Sequence, residues 1–431
     1  MLLAIALAAS AALPFIEDDY PKALAQARAE HKPLFVDFWA TWCHTCLSMR
    51  STVMEDPGLR PVKGAVVWAS IETEAEKNKA VVDRYPLDAW PTFVLINPDD
   101  ESVIARWLGA ASVSDFRAFV RDGAAAYRSK MKATTPAAAA QRKGDEARQK
   151  GDLAASAAAY AKALALSKPA DPQRPERLAL YANALRKLHT VEAGRTCVQL
   201  AQRELHHTGD SAIATDFIGY ASSCAGDLPK GDPAVAKLED AAVARLKKLL
   251  ASKDAPLSAD DRSDALATLA ELLDGKGRHH DAVAAMRTRA RILEDAAAKA
   301  ADASAASTYD PHRVDTYLYL GEAPKAEALL VAREKEQPAD YNPAARLARV
   351  LLEEKKLPDA EAAVDRALGK MTRGQRRVGI LGLKAKILAA EKKPARDVVR
   401  EQLEVSRELP QSQRSPQQEA KLQAQLEAQT H

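Results

Sequence analysis

Cys43-His44-Thr45-Cys46, set directly behind the apolar run Leu34-Phe35-Val36-Asp37-Phe38-Trp39, constrains this chain more than any other stretch. Two cysteines with two residues between them close a small disulfide ring reversibly. When such a pair follows a strand and opens a helix, the free N–H groups and dipole of the helix start favour a thiolate there. The flanks supply that context. Phe35 to Trp39 has the β-branched and aromatic character of a buried strand, and Ala40-Thr41-Trp42 makes a short link. Cys43, Cys46, Leu47, Met49-Arg50 and Val53-Met54 then suit a helix ending near Asp56-Pro57-Gly58. Thiols so placed have pKa values of roughly 3.5 to 7.5. Cys43 is therefore the more reactive thiol, Cys46 the less exposed one, and His44 a candidate source of positive charge beside them.

Zinc sites use the same spacing, but they normally take four protein ligands, often from two such pairs. The other two of the four cysteines, Cys197 and Cys224, stand alone in helical sequence. His206-His207 and His279-His280 lie at helix ends or loops, and adjacent residues on a helix point in different directions. No metal and no cofactor are expected beyond the redox-active Cys43–Cys46 disulfide itself.

Further elements follow in order. Val66–Ile71 reads as a second strand, Glu74–Tyr85 as a helix, Thr92–Ile96 as a third strand and Val103–Leu108 as a fourth, with Asn97-Pro98-Asp99-Asp100 as a turn. Ser114–Arg121 is a closing helix expected to stop near Gly123, and a helix over Tyr20–Glu30 precedes the set. The order is β-α-β-α-β-β-α.

With these elements in place, residues 15–125 resemble the thioredoxin superfamily. Val36 to Cys46 is similar to its strand-plus-active-site signature nearly residue for residue, and Trp90-Pro91-Thr92 matches its cis-proline loop. Phe15 to Trp39 resembles one branch, the extracytoplasmic domains related to the C-terminal domain of the transmembrane disulfide-reductase family. The resemblance implies Cys43 as attacking thiolate and Cys46 as resolving thiol. It implies Asp37 as the buried acid that moves the Cys46 proton, Trp42 as a shield, and Trp90-Pro91 as part of the substrate-binding rim. His44 and Thr45 replace the Gly-Pro of ordinary thioredoxins and are expected to tune the potential. The lysine usually near the buried acid is missing, with Trp68 near its position.

The chain has 431 residues, enough for two or three domains. All five tryptophans lie at or before Trp107, and of seven phenylalanines only Phe217 lies beyond Phe119. Residues 126–136 read as a linker. Over 137–410, Ala- and Leu-rich amphipathic segments come in pairs, with prolines at their starts and glycines at their breaks. A spacing of roughly 30 to 45 residues suggests a helical solenoid. Gly144, Gly151-Asp152, Tyr160 and Ala163-Leu164 resemble a tetratricopeptide repeat. The expected fold is thus an α/β thioredoxin-like domain followed by an all-α, tetratricopeptide-like solenoid, with a polar helix or tail over 411–431.

A solenoid groove usually holds a peptide or protein, so an unidentified partner is expected there. Cys197 and Cys224 are candidates for a structural disulfide, with two buried free thiols as the alternative. The 62 basic and 59 acidic residues give a net charge of only +3 with no basic block, which disfavours nucleic acid. Residues 1–12 are apolar and end in small residues, which reads as a secretory signal peptide, although no Lys or Arg precedes the apolar run. Export to a disulfide-permissive compartment such as a bacterial periplasm is expected, with no membrane span in the mature chain. The function implied is thiol–disulfide exchange on exported proteins, leaning towards reduction. Two alternatives are a non-enzymatic scaffold and a dedicated dithiol factor for heme or copper delivery.

Overall fold

The computed structural model describes residues 13–130, 135–371 and 373–428. Residues 1–12, the expected export signal, lie outside the described residues. A five-stranded mixed sheet of order β1-β3-β2-β4-β5 organises the first part. Its strands are β1 Phe15–Glu17, β2 Leu34–Trp39, β3 Val67–Glu72, β4 Thr92–Ile96 and β5 Val103–Leu108. β1, β3 and β2 run parallel, whereas β4 runs antiparallel to both β2 and β5. The three-residue β1 was too short to register as a strand in the sequence.

Apart from Asp37, β2 is apolar because both of its faces are covered. Phe35 lies among Trp68, Phe93 and Phe116, with ring centroids 4.8, 5.7 and 5.4 Å away. Val36 and Phe38 meet Leu24, Ala27 and Tyr85 on the other face. Helix α1, Tyr20–Ala29, starts where Asp19 accepts the Lys22 amide. The helix after the cysteines is α2, His44–Ser48, continuing as a π-helical turn over Met49–Val53.

Two sequence expectations are corrected. The segment from Glu74 to Tyr85 is not one helix: a 3-10 turn, Glu76–Asn78, precedes the short α3, Lys79–Arg84. Asn78 is drawn inward, where its side-chain amide donates to Asp18 and to the Glu72 carbonyl, both at 2.8 Å. The closing helix α4, Val113–Arg128, runs through Gly123 instead of stopping there. Gly123 lies where α4 meets the sheet so closely that a Cβ would come within 2.1 Å of Leu95 Cδ1.

The rest is helical. The pairs are α5 Pro136–Gln149 with α6 Leu153–Ala165, α7 Arg174–Arg186 with α8 Val191–Glu204, and α9 Ile213–Ala225 with α10 Pro233–Ala251. Then come α11 Ala259–Gly275 with α12 His279–Ala298, the short α13 Ala303–Ser307, and α14 Asp310–Tyr319 with α15 Ala323–Glu336. The series ends with α16 Asn342–Glu353 and α17 Leu357–Leu368, α18 Gln375–Ala390 and α19 Arg396–Glu408, and the single α20 Pro416–Ala428. In the first pair Gly144 admits the Tyr160 ring, whose hydroxyl donates to buried Asp145 at 2.6 Å.

One face of this array packs on the thioredoxin-like domain. Leu108 enters a cluster with Ala157, Tyr160, Leu180 and Ala184. Asp88 receives the Arg148 guanidinium, with Nε at 2.6 Å, in a pair almost wholly out of water. Farther along, Thr41 bonds Tyr341 (3.2 Å) and Asn342 (3.3 Å), and the Arg376 amide donates to Glu74 at 2.7 Å. Part of the surface expected to hold a foreign partner therefore holds the chain's own first domain. None of the helices among the described residues is long and apolar enough to cross a membrane.

Candidate active site

β2 delivers Asp37 and Trp39 to the C-terminal end of the sheet, and the link after it places Cys43 at the cap of α2. Cys43 and Cys46 are joined as a disulfide. The Cys46 amide donates to Cys43 Sγ at 3.1 Å, as a helix-start N–H does to a capping side chain. Cys43 is 4% exposed and Cys46 1%. Around them lie Ala40, Trp39, Trp42 and Trp90. The Trp42 and Trp90 rings sit 5.3 Å apart, and Trp90 Nε1 donates to Thr73 at 3.1 Å. The Trp90–Pro91 bond is cis, and the Pro91 carbonyl accepts the Gly109 amide.

Asp37 is 1% exposed, and neither carboxyl oxygen finds a hydrogen-bond donor among the described residues. Burial pushes its pKa up to about 7; Arg50 opposes this and Glu17 adds to it. Trp68 does stand on the neighbouring strand, but its indole donates to the Lys63 carbonyl and brings no charge. The cation comes from Arg50, whose Nε is 3.6 Å from Asp37 Oδ2 and whose plane lies 4.1 Å over the Trp39 ring. Arg50 also donates to Glu17 and to Ser70. Sequence reasoning missed Arg50 as a site residue. The available signal was its position one helical turn after Cys46.

His44 points towards the helical array and stays partly exposed. Its Nδ1 lies 3.2 Å from Asp260 Oδ2 on α11 and 2.8 Å from His312 Nε2 on α14. Thr45 adds a hydroxyl at 3.2 Å. Burial alone would lower the His44 pKa, but Asp260 and Asp264 outweigh it and raise it to about 9. Burial alone would raise Asp260; the two imidazoles hold it well below the usual carboxylate range. His44, Asp260, Asp264 and His312 each bring a metal-ligating atom within 4.8 Å of the others. Their distance in sequence hid this cluster from any motif.

Cys197 and Cys224 are disulfide-bonded between α8 and α9, both fully buried. The His206 and His207 rings do not diverge as expected, because they lie in a 3-10 turn, Leu205–His207. Their centroids are 3.8 Å apart, and His207 Nδ1 faces Glu204 at 3.1 Å. His279 pairs with Asp274 at 2.9 Å.

Residues 20–124 match the model of a thioredoxin-like domain. The H-type thioredoxin of Chlamydomonas reinhardtii is 34% identical over 103 residues, covering 24% of this chain and 85% of that protein. The thioredoxin of Mycolicibacterium smegmatis is 34% identical over 80 residues, covering 18% of this chain and 67% of that one. Protein disulfide-isomerase 1 of Dictyostelium discoideum is 30% identical over 96 residues, or 22% of this chain, which spans 25% of the isomerase. Among solved structures, a tetratricopeptide repeat protein from Parabacteroides merdae aligns with a TM-score of 0.41 at 14% identity, covering 64% of this chain and 98% of that one. By its first domain, with Cys43 capping α2 and Cys46 within it, the chain belongs to the thioredoxin superfamily.

Proposed function

We propose that this chain is a thiol–disulfide oxidoreductase, acting on exported proteins mainly as a reductase. The observation that carries the reading is the stacking of three features at one sheet end: the Cys43–Cys46 pair, the buried Asp37, and the Trp90-Pro91 loop. In the reducing direction, the Cys43 thiolate attacks one sulfur of a substrate disulfide. The other substrate sulfur leaves as a thiolate, which then takes a proton. Asp37 takes the proton of Cys46, and Cys46 attacks Cys43 Sγ in the mixed disulfide. That releases the second substrate sulfur and leaves Cys43–Cys46 oxidised by two electrons. A dithiol donor resets the pair by the same exchange. Run backwards, the steps oxidise a substrate dithiol.

Cys43 is 4% exposed, with α11, α14 and α16 close to the α2 end of the domain. That enclosure favours a narrow set of protein partners recruited with help from the helical array. Insulin reduction by wild type and Cys43→Ser tests the general activity, and partner trapping with Cys46→Ser tests the narrow one. Equal, negligible turnover in both assay proteins together with no trapped mixed disulfide would sink the enzyme reading. A single trapped partner without insulin turnover would instead support the dedicated dithiol factor.

A further inference from the structure

We propose that the recess beside Trp90, walled by early and late helices of the array, seats an acidic segment of the substrate protein next to its disulfide. The inference rests on the oxidoreductase reading above and names the substrate class of that site.

Trp90 stands in two places at once. It packs against the cluster of Ala40, Cys43 and Cys46, and it also lines a recess of about 560 Å³. Ligand sites commonly enclose roughly 300 to 1,000 Å³, so several peptide residues fit. A substrate chain that crosses Trp90 to reach Cys43 has the recess within reach of the residues flanking its own cysteine. That continuity makes the occupant part of the substrate.

The charge of the wall selects what enters. Asp88 is its one carboxylate among the described residues, and two cations already share it: Arg148, outside the wall, and Lys187 on the wall at 3.5 Å. Arg186 has no carboxylate partner among the described residues. Its Nε and Nη2 donate to neutral acceptors, Asn183 Oδ1 at 2.9 Å and the Asp88 carbonyl at 2.8 Å, and its guanidinium lies 5.1 Å from the Tyr220 ring centroid. Arg414 is matched by Glu419, with Nε and Nη2 each at 2.8 Å, and His189 faces Asp227 at 3.7 Å. The surplus is therefore Arg186 and one of the two cations that share Asp88.

Helix ends add to it. α18 lines the recess with its first residue, Gln375, and α20 with its first two, Pro416 and Gln417. Helix starts carry partial positive charge on their free N–H groups. α7 brings an end of the opposite sign, and that end carries Arg186 and Lys187. Gln413, also on the wall, has a side-chain Nε2 with no acceptor among the described residues. A basic segment would meet like charge here. An apolar one would strip water from Arg186 without replacing its hydrogen bonds. Glu or Asp side chains offer carboxylates to the surplus cations.

The test uses the full-length chain and two synthetic disulfide-linked peptides that differ only beside the cysteine, Glu-Glu in one and Lys-Lys in the other. In single turnovers the pre-reduced chain is expected to reduce the Glu peptide with a rate constant about tenfold higher. Salt at about 0.5 M should cut that advantage at least threefold. Arg186→Gln is expected to erase most of it. Should Arg186→Gln fail to fold, Lys187→Gln is expected to lower it about threefold. Equal rates on the two peptides in wild type, or an advantage that neither salt nor either variant reduces, would overturn the proposal. The same peptides with Ser in place of Cys report binding alone, by isothermal titration of the oxidised chain. Tighter binding of the Glu peptide without turnover of any disulfide peptide or insulin would uphold this inference while the oxidoreductase reading falls. Turnover with no flank preference would do the reverse.

Discussion

Arg50 and Asp37 face each other, Nε to Oδ2 at 3.6 Å, with the guanidinium also lying over Trp39. The acid comes from β2 and the cation from the π-helical turn that continues α2, so the pair ties the sheet to the segment carrying both cysteines. Burial raises the Asp37 pKa to about 7, and Arg50 is what keeps it from rising further. On the proposed mechanism, Asp37 accepts the Cys46 proton only as a carboxylate. Arg50→Met removes the cation, raises the acid, and should move the pH midpoint of mixed-disulfide resolution up by about one unit. Single-turnover kinetics across pH 5 to 9 measure it. An unmoved midpoint would separate Arg50 from the proton transfer.

The same acid makes a stability prediction with a definite sign. Its folded pKa of about 7 lies above the ordinary carboxylate value, so the folded state holds the proton more tightly than the unfolded chain. Asp37 is no liability below about pH 4; stability is then lost as pH rises towards and through 7. Asp37→Asn removes the titration. The variant should therefore gain on wild type between pH 4 and pH 8, by about 2–4 kcal/mol on the scale of 1.36 kcal/mol per pKa unit. Denaturant midpoints at the two pH values decide it. A difference that stays constant with pH would mean that Asp37 is ionised throughout.

What was legible in the sequence is what local grammar writes. The run from Val36 to Cys46 specifies strand, link and helix start within eleven positions, and β4 and β5 were read at their observed bounds because each is a short β-branched run closed by turn residues. Gly123 was misread because a glycine inside an amphipathic helix looks like a stop when the residue it makes room for, Leu95, belongs to another strand. The helical pairs were legible from their prolines and glycines. Which face of them meets the first domain was not, since periodicity marks a buried face without saying what buries it. The His44–Asp260 contact joins residues 216 positions apart, and Thr41–Tyr341 joins residues 300 apart.

Docking of the first helical pair depends on the buried pair formed by Asp88, before the cis-proline loop, and Arg148 on α5. The Asp88 carboxyl is raised by burial, but Arg148, with help from Lys187, holds it below its usual range overall. Breaking such a pair by removing one partner leaves an uncompensated charge and costs about 3–5 kcal/mol. Arg148→Ala should lose about that much, and Asp88→Ala/Arg148→Ala should recover a good part of it. Lys187, 3.5 Å from Asp88, offsets some of the loss in the single variant. A double variant no more stable than Arg148→Ala would show that packing around Leu108, not the ion pair, holds the domains together.

The Cys197–Cys224 disulfide divides the two halves of the chain in their response to reductant. It joins residues 27 apart on α8 and α9, and both cysteines are fully buried in the largest apolar cluster, with Leu185, Val198, Phe217 and Ala221. Closing a loop of that length removes unfolded-state entropy equivalent to roughly 3–4 kcal/mol at 25 °C in the chain-entropy treatment. Cys197→Ala/Cys224→Ala should therefore lower the unfolding midpoint of the helical half, while the redox equilibrium of Cys43–Cys46 keeps its wild-type value. Glutathione is expected to reduce Cys43–Cys46 first, because Cys43 keeps 4% of its surface exposed whereas Cys197 and Cys224 keep none, and to leave the second bond intact until α8 and α9 separate. Differential thiol labelling followed by mass spectrometry over a series of glutathione potentials reads both bonds in one sample. Loss of the buried bond at the same potential as the ring would refute its structural role and make it a second redox centre.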